Sequence, residues 1–213
     1  MQPVTGYNDI ADLGNFLVVY PEGLERSWNA GNCCGHAIDE NVDEPAFIRQ
    51  ILSDLDTITD IDPKRIYGTG FSNGAALTYR LACEMSEIFA AIGPVSGSLG
   101  YSPCHPQQPV SIIHVHGLAD NAVPYSGGGP FDFPPVEQGI DTWVQLNNCR
   151  ETTQVEIPYE SLTIKHTTYT SCQAGTAIEL YTIDLGTHGW PSSKHIWPAS
   201  ETIWDFFNAH PKP

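Results

Sequence analysis

Positive charge is what this chain has least of. Lys and Arg together number 9 against 25 Asp and Glu, a formal net charge of −16 over 213 residues. No large basic patch can be assembled from so few cations, which argues against nucleic acid or an anionic membrane as partner. Apolar runs are short, and none reaches the roughly 18 residues that a membrane-spanning helix needs. The six cysteines include no C-x-x-C pair. That favours disulfides over zinc, and with them an oxidising compartment, with buried free thiols as the alternative. Signal peptide, internal repeat and low-complexity linker are also lacking, so a single domain over residues 1–213 is expected. The acidic surface fits a secreted or salt-tolerant protein.

What is present centres on residues 65–74. Arg65-Ile66-Tyr67 reads as the start of a short strand, Gly70-Phe71-Ser72-Asn73-Gly74 as a turn, and residues 75–84 as a helix. G-x-S-x-G between strand and helix is the pattern that lifts a serine clear of the backbone. Side chains two residues either side of Ser72 would clash with strand or helix, hence the glycines. The following N–H, that of Asn73, points where an oxyanion would form.

Other elements follow from hydrophobic periodicity. Residues 8–13 read as the end of a helix closed by Gly14, and residues 16–20 (Phe-Leu-Val-Val-Tyr) as a strand buried on both faces. A long connection rich in Gly, Asn and Cys, containing Trp28, leads to a helix over residues 44–59. Strands are predicted at 89–95, 110–116 and 177–183, helices at 136–147 and 199–209, and a strand pair at 153–159 and 163–169. Alternating strands and helices predict an α/β fold with a mostly parallel sheet covered on both faces.

In such sheets chemistry gathers at the carboxyl ends of strands. Ser72, Asp120 and His188 each follow a separate predicted strand, in the chain order of a Ser–Asp–His hydrolase triad. Each has a plainer alternative. Asp120 can cap a turn; Asp132 and Asp141 are weaker acids for the role; His195 is the reserve histidine. His114 and His116 lack a third ligand at metal-binding spacing and read as hydrogen-bonded core residues. Cys33-Cys34-Gly35-His36 reads as a disulfide-tied loop rather than a metal site.

At this point a resemblance becomes specific. The segments Val19-Tyr20-Pro21-Glu22-Gly23, Ser27-Trp28-Asn29-Ala30-Gly31 with Cys33-Cys34-Gly35, and the Gly70 to Gly74 turn with Tyr79-Arg80-Leu81-Ala82-Cys83 carry it. So do Ala-Ile-Gly-Pro-Val-Ser-Gly at 91–97, His116-Gly117 with Asp120 and Val123-Pro124-Tyr125, and His188 with Trp190-Pro191. Together they resemble secreted esterases that group polyhydroxybutyrate-depolymerase-like enzymes with feruloyl and acetylxylan esterases. The resemblance implies an α/β-hydrolase fold, a Ser72–Asp120–His188 triad and cofactor-free hydrolysis of carboxylic esters. The expected substrate is a plant cell-wall ester, with a polyester as the rival. Trp28, Tyr125 and Trp190 are candidates for the acyl pocket, with core packing as the plainer reading.

Two expectations are structural. Cys149 and Cys172 flank the strand pair and are expected to bridge it. Cys33, Cys34, Cys83 and Cys104 leave their pairing open, with one bridge expected to tie the Trp28 loop to the elbow helix through Cys83. The resemblance also implies an upstream strand and a second oxyanion donor for which residues 1–6 leave no room. The sequence therefore reads as N-terminally incomplete, or as a chain that completes its sheet by rearrangement or in a homodimer. Losing one oxyanion donor typically costs on the order of 100- to 1000-fold in rate, so a catalytically impaired binding remnant is the rival from another class.

Overall fold

A computed structural model describes residues 2–192 and 196–213. Six strands form one sheet: β1 (Tyr67–Phe71), β2 (Ala91–Val95), β3 (Ser111–Gly117), β4 (Glu151–Tyr159), β5 (Leu162–Thr170) and β6 (Ile178–Ile183), in the order β1-β2-β3-β6-β5-β4. The first four in that order run parallel, and β5 and β4 continue antiparallel at one side. Seven helices accompany them among the described residues: α1 (Gln2–Thr5), α2 (Tyr7–Gly14), α3 (Gly35–Asp39), α4 (Glu44–Asp56), α5 (Asn73–Glu84), α6 (Val136–Leu146) and α7 (Ala199–Ala209). The architecture is an α/β-hydrolase-like fold with a mostly parallel sheet.

Side chains alternate across the sheet, and each face has its own core. Ile92, Ile112 and Leu180 pack against Leu77, Leu81, Ile140 and Trp143 from α5 and α6. Val95, Ile113, Val115 and Ile183 pack on the other face against Ile203, Phe206 and Phe207 of α7 and Tyr7 of α2. β2 and β3 are buried along their whole lengths, β2 as an unbroken apolar run and β3 with Ser111, His114 and His116 among its apolar residues. α4 starts where it does because Asp43 caps it, accepting from the Ala46 N–H at 3.0 Å with a proline in the first turn.

The strand expected at residues 16–20 is not formed. This stretch is irregular, with Phe16, Val18 and Tyr20 turned toward the core and Leu17 and Val19 exposed at 64% and 44%. Phe16 stacks on Trp204 with ring centroids 3.9 Å apart. Inward alternation holds the segment against the α7 side, and among the described residues it pairs with no strand of the sheet.

The disulfides are Cys33–Cys34, Cys83–Cys104 and Cys149–Cys172. The last closes the base of the β4–β5 hairpin as expected. The bridge expected between the Trp28 loop and Cys83 is absent, because Cys33 and Cys34 pair with each other and Cys83 pairs with Cys104.

Candidate active site

The elbow is built from backbone strain at one residue. Ser72 sits at φ 57°, ψ −120°, a region that side chains rarely occupy. Its N–H donates to Val95 O at 3.0 Å, and its carbonyl accepts from Ala75 and Ala76, so β2 and the first turn of α5 together hold the conformation. A Cβ on Gly70 would lie 2.3 Å from Gly74 O, so glycine there is a steric necessity. Gly74 differs from the expectation: a Cβ there would meet only the Trp28 indole nitrogen, at 4.0 Å.

A second tight approach brings the other two loops together. A Cβ on Gly117 would lie 2.1 Å from Gly186 O, and Ala119 N donates to that same oxygen at 2.9 Å. The end of β3 and the turn after β6 therefore touch through backbone alone. Asp120 and His188 extend from this junction and meet, His188 Nδ1 lying 2.8 Å from Asp120 Oδ2. His188 Nε2 lies 3.0 Å from Ser72 Oγ.

Chemistry fixes the proton positions. The buried Asp120 carboxylate accepts, so the His188 proton is on Nδ1 and Nε2 is free to accept from the Ser72 hydroxyl. The other Asp120 oxygen accepts from the N–H groups of Ala122 and Val123, each at 2.9 Å. Phe71 packs against the His188 ring with centroids 4.8 Å apart, and Ser96 Oγ donates to Gly189 O at 3.1 Å. The Asn73 N–H has no hydrogen-bond partner among the described residues.

The Asn73 side chain does something that its place in the elbow motif did not signal. Its Oδ1 accepts from Trp28 N at 2.7 Å and its Nδ2 donates to Trp28 O at 2.9 Å, so one amide clamps the Trp28 loop in register. Asn29, next in that loop, donates its N–H to the buried Glu44 carboxylate at 2.9 Å and accepts from Arg80 at 2.7 Å. Burial pushes the Glu44 carboxyl above its ordinary range. The vicinal Cys33–Cys34 pair lies beside this clamp, Asn73 Nδ2 being 3.7 Å from Cys33 Sγ.

The aromatic candidates separate. Trp28 is half-buried and stacks on Phe47 at 6.3 Å. Tyr125 bonds Glu137 and lines a cavity of about 220 Å³ between α6 and β4, β5 and β6. Trp190 is buried in the core, its ring nitrogen donating to Ser200 Oγ at 2.9 Å and its ring edge-on to Tyr7, so its surroundings are those of a packing residue. Asp132 and Asp141 lie outside the Ser72–His188–Asp120 contact. The reserve histidine, His195, lies outside the described residues. No group of three His, Cys, Asp or Glu among the described residues is arranged to hold a metal ion. None of the described helices is long and apolar enough to cross a membrane.

Comparison with known proteins agrees with the motifs. Feruloyl esterase B of Piromyces equi is 27% identical over 188 residues, covering 81% of this chain and 33% of that protein. Feruloyl esterase C of Emericella nidulans is 27% identical over 139 residues, covering 65% of this chain and 45% of the relative. The chain thus spans less than half the length of these relatives. Among solved structures, an acetyl xylan esterase from Aspergillus awamori superposes with a TM-score of 0.63 at 14% identity, covering 97% of this chain and 82% of that one. No family model matches. The chain is similar to feruloyl and acetylxylan esterases.

Proposed function

We propose that this chain is a serine carboxylic-ester hydrolase working through an acyl-enzyme, with residues 1–213 as one catalytic domain. The observation that carries the reading is the unbroken contact from Ser72 Oγ to His188 Nε2 and from His188 Nδ1 to Asp120 Oδ2. His188 takes the Ser72 proton as Oγ attacks the ester carbonyl, then gives it to the departing alcohol. Asp120 holds the imidazole in the required tautomer and stabilises its charged form. The Asn73 N–H serves the oxyanion. Water then attacks the acyl-serine with His188 as base, releasing the acid. No cofactor enters.

The substrate class we propose is a feruloylated or acetylated cell-wall polysaccharide, supported by the named relatives and by the half-buried Trp28 beside the elbow. Three disulfides support an extracellular setting. The test is hydrolysis of p-nitrophenyl acetate and methyl ferulate by the parent chain and by Ser72→Ala. Serine-dependent turnover is expected, with the variant down by at least about 1000-fold. A parent no faster than the variant would overturn the reading.

A further inference from the structure

Behind Asp120 lies a line of polar side chains in a place where aliphatic residues would pack without desolvation. Tyr79 of α5 and His114 and His116 of β3 are all fully buried or nearly so, and form one chain of hydrogen bonds. Tyr79 OH is 2.8 Å from His114 Nδ1, His114 Nε2 is 3.1 Å from His116 Nδ1, and His116 Nε2 is 2.8 Å from Val123 O. The two imidazoles stand parallel, 5.3 Å apart, as residues two apart on a strand must.

The direction of every bond in this chain follows from its last acceptor. Val123 O is a carbonyl and can only accept, so His116 carries its proton on Nε2. Nδ1 of neutral His116 then accepts from His114 Nε2–H, and Nδ1 of neutral His114 accepts from the Tyr79 hydroxyl. Burial holds both imidazoles below their ordinary pKa, well below for His114, in keeping with neutral rings. His116 is faced by His114 on its own strand, by Asp120 and Tyr125 from the following loop, and by His188 from the turn after β6. All three donors run toward the Val123 carbonyl and the 119–123 turn.

The last link is the informative one. Val123 accepts from His116 through its carbonyl while donating its own N–H to Asp120 Oδ1. The same His116 Nε2 lies 3.6 Å from Asp120 Oδ2, the oxygen that holds His188. We propose that His116, its tautomer locked by His114 and Tyr79, is a positioning residue for Asp120: it clamps the 119–123 turn and thereby aims the carboxylate at His188. The proposal rests on the serine-hydrolase reading, in which Asp120 orients the base.

The experiment compares His116→Leu, His116→Gln, His114→Leu and Tyr79→Phe. His116→Leu is expected to lower kcat by on the order of 10- to 100-fold with KM within about twofold, as a small misplacement of a catalytic group does. His116→Gln, whose amide can still donate to Val123 O, recovers most of that loss. His114→Leu and Tyr79→Phe follow with progressively smaller losses. Unchanged kcat in His116→Leu, or a Gln variant no better than Leu with an equal fall in melting temperature, overturns the proposal.

Ring-nitrogen NMR reads the same idea without turnover. His114 and His116 should both appear as neutral Nε2–H tautomers; an Nδ1–H or charged form at either overturns the assignment. The low-field proton of the His188–Asp120 bond should change in His116→Leu and return in His116→Gln, and an unaltered signal overturns the positioning role. A parent lacking Ser72-dependent hydrolysis defeats the functional reading instead, and the NMR arm still decides this one.

Discussion

The turn at residues 119–123 and the loop at residues 27–37 both close on the elbow, but from different chemistry. The first is held by backbone N–H donors to the Asp120 carboxylate and by a buried chain of neutral imidazoles in which each bond fixes the next. The second is held by an amide clamp from Asn73 and by charged groups, Glu44 and Arg80, of which Arg80 also pairs with the partly buried Glu84. Neutral buried networks tolerate little movement, because each member lost leaves another unsatisfied. The loop's contacts to Asn73, Glu44 and Arg80 are separate, so losing one leaves the others in place. The difference suits the work proposed for each: one side aligns an acid with its base, and the other borders the space where substrate would lie.

Substitutions on the two sides should therefore fail differently. The largest effect is expected from Asp120→Asn, which keeps shape but puts a donor where an acceptor is required. Steady-state kinetics should show kcat lower by on the order of 10³- to 10⁴-fold with a nearly unchanged melting temperature. Asn73→Ala keeps the backbone N–H and removes the clamp on Trp28. It should raise KM by roughly tenfold more than it lowers kcat, and reduce stability by about 1–2 kcal/mol in urea melts. A loss confined to kcat would erase the contrast drawn between the two supports.

The smallest effect is expected from Glu44→Gln, and it carries a sign. Burial raises the Glu44 carboxyl in the folded chain, so its contribution to stability is present at acid pH and lost as pH rises through the folded value. The glutamine can still accept from Asn29 N–H without carrying charge. Its melting temperature relative to the parent should therefore climb between about pH 3.5 and neutrality. A flat difference would show that Arg80 fully compensates the buried charge.

Much of the architecture was legible because buried parallel strands advertise themselves. β2 is apolar throughout, β3 and β6 are mostly apolar and almost wholly buried, and each of these three begins and ends within about two residues of its predicted bounds. Residues 16–20 carry the same signal and form no strand, because an apolar run reports burial and is silent about whether a pairing edge lies alongside. The order Ser72, Asp120, His188 was readable as three strand-end residues, and the fold brings their side chains within hydrogen-bond distance. The clamp by the Asn73 side chain was not readable, since its partners lie 45 residues away on backbone atoms. Cysteine pairing was half readable: a pair flanking a hairpin is a local matter, whereas adjacent cysteines bonding to each other depends on a local backbone shape that spacing does not encode. Trp190, two residues after the candidate histidine, turns inward to bond Ser200, surroundings that match the core-packing alternative the sequence also offered.

The edge strand β4, at one of the sheet's two margins, has a consequence for how these molecules behave in one another's company. It presents nine residues at the sheet margin, an invitation for a neighbouring molecule to extend the sheet. Glu151 and Glu156 lie along it and Pro158 interrupts it near its end, where the missing N–H breaks any continuous ladder. With a net charge of −16 on every copy, two such margins repel before they can register. Concentrated solutions should accordingly stay clear at low salt and neutral pH, and turn cloudy as acid or salt removes the repulsion.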